Sequence, residues 1–182
     1  MTRQEYFTKY APLVAKVTAG TGLFPSVMLA QGAIESGNGK SSLASVYNNH
    51  FGIKAGSSWK GKTVTLQTHE VINGQTITVN GVFRAYDTPE EGFADRVNFL
   101  KSIKKGDGLR YQAALVAKTP DEQAQALQDA GYATAPDYAS VISSVIKNNN
   151  LTAYDSGQKK KEDNNNSVGS ININKWSDIL PK

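Results

Sequence analysis

The sequence predicts a mainly helical α+β domain. Two observations carry that prediction: several segments place apolar residues at helical spacing behind recognisable caps, and residues 63 to 86 instead alternate apolar and polar residues around an Asn-Gly pair. With 182 residues, 39% of them apolar, the chain can build one domain with a sizeable core and an appendage.

The elements follow in order. Thr2-x-x-Glu5 is a capping box, and Tyr6, Tyr10, Leu13, Val14 and Val17 recur at helical spacing, so a first helix runs to about Ala19 and ends at Gly20 and Gly22. Pro25 suits the first turn of a second helix that carries Val27, Met28, Leu29, Ile34 and Glu35 and stops at Gly37. Ser42–Tyr47 makes another helical turn, and the polar Asn48-Asn49-His50-Phe51-Gly52-Ile53-Lys54 stretch suits a cleft-lining loop. Val64, Leu66 and Thr68, the Asn73-Gly74 turn, and Ile77, Val79 and Phe83 read as a β-hairpin with Glu70 close to its tip. Thr88-Pro89-Glu90-Glu91 and Thr119-Pro120-Asp121-Glu122 each join a cap, an N1 proline and an N3 glutamate, and so start two more helices. A last helix carries Tyr138, Val141, Val145 and Ile146 and frays at Asn148-Asn149-Asn150. Residues 1–154 are expected to form the domain. Residues 155–182, beginning with a Lys/Asn-rich run that cannot bury apolar surface, are expected to be a linker and tail.

Composition narrows the chemistry. There is no cysteine, hence no disulfide, thiolate metal site or Cys nucleophile, and two isolated histidines argue against a multi-His metal site. No metal or organic cofactor is expected. No window approaches 18 consecutive apolar residues, so no membrane span is predicted, and MTRQEYFTKY has no apolar signal segment. A formal charge of +4 suits an anionic polymer surface but is too weak to argue for nucleic acid.

The stretch Ala33-Ile34-Glu35-Ser36-Gly37-Asn38-Gly39-Lys40-Ser41 admits two readings. Its Gly39-Lys40-Ser41 ending fits a phosphate-binding loop, yet the first glycine of that pattern falls on Ile34, a β-branched residue inside a helical run. The better reading is a carboxylate at the end of an apolar helix. Glutamates at helix ends are mostly solvated, but burial and the negative end of the helix dipole would both push the pKa of Glu35 upward, as a general acid requires.

The run Leu29–Ser41, followed by Asn48–Lys54, closely resembles the glucosaminidase family of cell-wall hydrolases, glycoside hydrolase family 73. Thr68-x-Glu70, Phe83-Arg84-x-Tyr86 and Gly131-Tyr132-Ala133-Thr134-x-Pro136-x-Tyr138 keep the family's order, and the resemblance extends from about Gln4 to Asn150. It implies a lysozyme-like fold with a small β-hairpin lobe. It also implies cleavage of an N-acetylglucosaminyl β-1,4 bond in peptidoglycan at the bacterial cell wall. The chain is expected to be a monomer, and with no signal segment in view it is expected to be secreted, periplasmic or phage-delivered, reaching the wall by a phage, by a dedicated secretion machine or after loss of a leader. By the same resemblance Glu35 is the catalytic acid, and Tyr132 and the Asn49/Phe51 loop line the glycan cleft, with Tyr138 as a further substrate-binding position.

Glu70 has three readings: a solubilising residue beside a turn, the second carboxylate that activates water or stabilises the transition state, or a secondary group if the substrate's acetamido group assists. His50 and His69 are expected to be surface or hydrogen-bonding residues, and Asp87, Glu90, Glu91, Asp121 and Glu122 are explained by turns and caps. A lytic transglycosylase, and a wall-binding module without catalysis, are the rival functions.

Overall fold

The computed structural model describes residues 1–72, 75–133 and 135–156, with only the backbone described at 69–72, 75 and 76. The expected Asn73-Gly74 turn and the tail from residue 157 onward lie outside the described residues.

Helix α1 (Arg3–Thr18) begins at a complete capping box, in which Thr2 accepts from the Glu5 N–H and the Glu5 carboxylate accepts from the Thr2 N–H at 2.7 Å. Helix α2 (Pro25–Glu35) is buried at every residue except Ile34, and it packs against α1 and later helices, as an all-round apolar segment must. The short α3 (Ser42–Ser45) follows.

Strands β1 (Thr63–Ile72) and β2 (Gln75–Arg84) pair antiparallel, with Thr63 opposite Arg84 and Glu70 opposite Ile77. Helix α4 (Pro89–Ser102), the small ribbon of β3 (Lys104–Lys105) and β4 (Gly108–Leu109), and α5 (Gln112–Leu115) come next. Then come α6 (Pro120–Asp129), α7 (Tyr138–Asn148) and a 3₁₀ turn, Leu151–Tyr154. At α4 and α6 the caps Thr88 and Thr119 accept from the N3 N–H groups. The N3 glutamates reach one residue further back than a capping box would, Glu91 to Asp87 N–H at 3.0 Å and Glu122 to Lys118 N–H at 2.8 Å.

One core holds the helices together. It runs from Tyr6, Phe7 and Val14 through Leu29 and Phe93 to Leu127, Ile142 and Leu151. Helix α2 is its axis, and the N–H groups at its start are satisfied from far along the chain: Phe24 N–H donates to Gln123 at 2.9 Å, and Ser26 donates to Asp155 through both N–H and Oγ. Asp155, the first residue assigned to the tail, is thus bonded into the domain and 5% exposed.

The hairpin is attached at its base. Ala55 N–H donates to Val82 and Arg84 N–H to Ile53, and Arg84 grips Asp95 of α4 through both carboxylate oxygens at 3.0 and 2.8 Å. Tyr86 donates to the same carboxylate at 2.6 Å. The Phe83-Arg84-x-Tyr86 sequence is therefore a clamp between hairpin and helix.

Candidate active site

Glu35 is the last residue of α2, and the three residues after Ser36 explain why the helix stops there. Gly37, Asn38 and Gly39 all have positive φ, at 59°, 58° and 77°, which reverses the chain and returns Asn38 N–H to Ala33 O at 2.7 Å. Ser41 then caps α3 by accepting from Ala44 N–H. The Gly-Lys-Ser ending thus serves a helix C-cap followed by an N-cap, and no strand precedes it.

Glu35 is 8% exposed, and its Oε1 accepts a 2.9 Å hydrogen bond from the Tyr132 hydroxyl. Tyr132 follows Gly131, whose φ of 71° turns the chain out of α6. Burial pushes the Tyr132 hydroxyl well above the ordinary tyrosine range; the Glu35 charge adds to this and Arg96 opposes it. Tyr132 therefore keeps its proton at neutral pH and donates a hydrogen bond to Glu35. Tyr138, 3% exposed, packs 5.7 Å from Tyr132 between ring centroids and accepts from the Gln31 side-chain amide, one turn before Glu35 on α2.

Asn49 and Phe51 were expected to line the cleft, yet both are 1% exposed. The Asn49 amide donates to Ile53 O and Arg84 O and accepts from Ile53 N–H, so it splices the loop to the base of β2. Phe51 lies edge-on to Phe93 and borders Gly32, where an added Cβ would meet the Tyr6 hydroxyl at 2.5 Å. His50 is equally buried, 3.0 Å from the Tyr6 hydroxyl, with burial lowering its pKa to about 4. It is a neutral packing residue. The Glu70 backbone lies in β1 opposite Ile77.

Arg96 escaped the sequence reading. It is 0% exposed, its Nη2 donates to Gln31 at 3.2 Å, and its guanidinium lies 4.3 Å from the centre of the Tyr132 ring. The signal was present: Arg96 falls three residues after Phe93 and four before Leu100, on the apolar stripe of α4. Among the described residues no group of three or more His, Asp or Glu side chains could hold a metal ion, and no helix is long and apolar enough to cross a membrane.

A sequence profile of the glucosaminidases, described as mannosyl-glycoprotein endo-beta-N-acetylglucosaminidase, matches residues 11–151. The chain belongs to the glucosaminidase family. That makes it a glycoside hydrolase. The glucosaminidase fold is shared with the catalytic domain of the autolysin Auto from Listeria monocytogenes, with a TM-score of 0.76, 34% identity and coverage of 85% of this chain and 89% of that one. Exo-glucosaminidase LytG of Bacillus subtilis (strain 168) is 38% identical over 133 residues, which are 73% of this chain and 46% of LytG. The probable N-acetylmuramidase of Lactococcus lactis subsp. lactis (strain IL1403) is 34% identical over 154 residues, 84% of this chain and 35% of that protein. This glucosaminidase chain therefore spans less than half the length of these curated relatives.

Proposed function

We propose that the protein is a peptidoglycan hydrolase, an endo-β-N-acetylglucosaminidase that cleaves the β-1,4 bond from N-acetylglucosamine to N-acetylmuramic acid at the bacterial cell wall. The observation that carries this reading is the buried carboxyl of Glu35 at the end of α2, hydrogen-bonded by Tyr132 at 2.9 Å. A bond to one oxygen fixes the carboxyl plane, so that a proton can be aimed at the glycosidic oxygen, and burial keeps bulk water from competing for it. Tyr132 is the orienting group. Asn49, Phe51 and Tyr138 support the cleft from beneath, and they do so through packing and internal hydrogen bonds. Glu70, two residues before the end of β1, supplies the second carboxylate from the opposite face of the sugar. The chain works as a monomer, and residues 1–155 suffice for activity.

A muramidase reading is favoured by the name of the Lactococcus lactis relative. Mass spectrometry of digested peptidoglycan separates the alternatives. A reducing N-acetylglucosamine end is expected. A reducing N-acetylmuramic acid end would make the protein a muramidase, and a 1,6-anhydro-muramic acid end would make it a lytic transglycosylase.

A further inference from the structure

A buried arginine needs a reason. Taking a guanidinium out of water costs several kcal/mol, and a methionine or leucine would fill the apolar stripe of α4 without that cost. Arg96 recovers little through hydrogen bonds, because only Nη2 has a partner while Nε and Nη1 have none. What surrounds it is aromatic and close to the site: the Tyr132 ring at 4.3 Å, Phe51 at 5.3 Å and Phe99 at 5.8 Å.

Beyond the Tyr132 ring stands the carboxylate of Glu35. Tyr132 has the Arg96 guanidinium against its ring face and Glu35 at its hydroxyl. Gln31 links the same cation to Tyr138. Three phenols, Tyr111 beside α5, Tyr132 before α7 and Tyr138 in α7, respond to both charges, Arg96 drawing their pKa values down and Glu35 raising them. From α1, Tyr6 also faces Glu35.

We propose that Arg96 is a positioning residue for the glycosidase reaction: its buried guanidinium, bonded to Gln31 and stacked on Tyr132, is the counter-charge that balances the Glu35 carboxylate across the Tyr132 ring and holds that ring in line with it. After the proton leaves Glu35 for the leaving group, the nearby cation stabilises the carboxylate that remains. The inference rests on the assignment of Glu35 as the acid.

The test is the pH profile of kcat/KM on solubilised glycan for Arg96→Met and Arg96→Lys, with Glu35→Gln alongside. Losing the cation makes ionisation of Glu35 harder, so the alkaline limb of Arg96→Met should move to higher pH by at least about half a unit, whereas Arg96→Lys, which keeps the charge, should leave the limb near its wild-type position. A limb that coincides with wild type in Arg96→Met, or that moves equally in both variants, overturns the proposal and leaves Arg96 as a packing residue. Should either variant fail to fold, the Nε–Hε resonance of Arg96 in ¹⁵N spectra gives the answer from the wild type and Glu35→Gln alone. It titrates with pH across the alkaline limb in the wild type and stays fixed in Glu35→Gln if the two charges are coupled, and a wild-type resonance that does not titrate overturns the proposal. Near-normal turnover in Glu35→Gln is a separate failure, that of the underlying assignment.

Discussion

The two carboxylates of interest stand on opposite kinds of scaffold. Glu35 closes a helix that is buried on nearly all sides, with its orienting partner 97 residues away and the start of its helix held by Gln123 and Asp155. Glu70 lies in a two-stranded ribbon whose strands pack chiefly on each other, with Ile77 and Val82 left 38% and 45% exposed and the ties to the helices gathered at its base. A two-stranded ribbon is marginal by itself in water. On the proposed roles, the acid is thus held in a fixed frame, while its counterpart is carried on a lever. Under that proposal the cleft admits a polymer first and the second carboxylate joins only as the ribbon approaches.

The largest expected effect falls on the fixed side. Glu35→Gln keeps the shape and removes the proton, so kcat should drop by roughly 10²–10⁴-fold or more with the melting temperature nearly unchanged. Near-normal turnover would take the acid out of the rigid frame.

Next comes the rigidity itself. The pKa of His50 is lowered from 6.5 to about 4 by burial, so its contribution to stability is complete above pH 6.5 and is lost as the pH falls from there towards 4, when the unfolded chain takes up a proton the folded one refuses. The loss amounts to about 3 kcal/mol. Urea midpoints across this range should fall more steeply for wild type than for His50→Gln, and parallel curves would show that the ring does not stay neutral.

On the lever side, Glu70→Gln should lower kcat by about 10²-fold with much less change in KM, because the lost interaction belongs to the transition state. Azide should partly restore turnover to Glu70→Ala. Wild-type kcat in Glu70→Gln would hand the second role to the substrate's acetamido group and make the comparison one-sided.

The smallest effect is at the seam with the tail. Asp155→Ala removes both acceptors of Ser26 and should cost about 1–2 kcal/mol, a melting temperature lower by roughly 3–6 °C. A chain ending at 156 should melt like the whole protein, and one ending at 154 like Asp155→Ala. Equal melting of all of them would move the domain boundary back to 154.

Local chemistry made much of this legible. The caps at Thr2, Thr88 and Thr119, the N1 prolines and the period-two stretch each produced the element they announce, because short-range hydrogen bonds and alternation decide them. The ribbon at residues 104–109 and the four-residue α5 have too few residues to show a period. Glu35 and Tyr132 were found by motif, and the structure joins them. The resemblance points to Asn49 and Phe51 as cleft residues and the polarity of their loop agrees with it, yet the polarity of Asn49 is spent inside, on Ile53 and Arg84. Gln123 and Asp155 bond to groups remote in sequence, and spacing along the chain carries no record of that. Arg96 did leave a trace, its place on the apolar stripe of α4, but nothing local points to Gln31, 65 residues away.

The bond from Ser26 to Asp155 spans 129 residues. During synthesis the helix that bears Glu35 leaves the ribosome first, with Tyr132, Gln123 and Asp155 still unmade. A nascent chain that has reached residue 120 holds Glu35 but neither the Tyr132 hydroxyl that bonds its carboxyl nor the Gln123 and Asp155 acceptors at the front of its helix. Long-range closure of this kind slows folding, because the loop must be closed before its contacts repay the entropy. Here it also imposes an order in time: both ends of the helix that bears Glu35 are completed late, by Tyr132 and by Asp155 among the final residues of the domain.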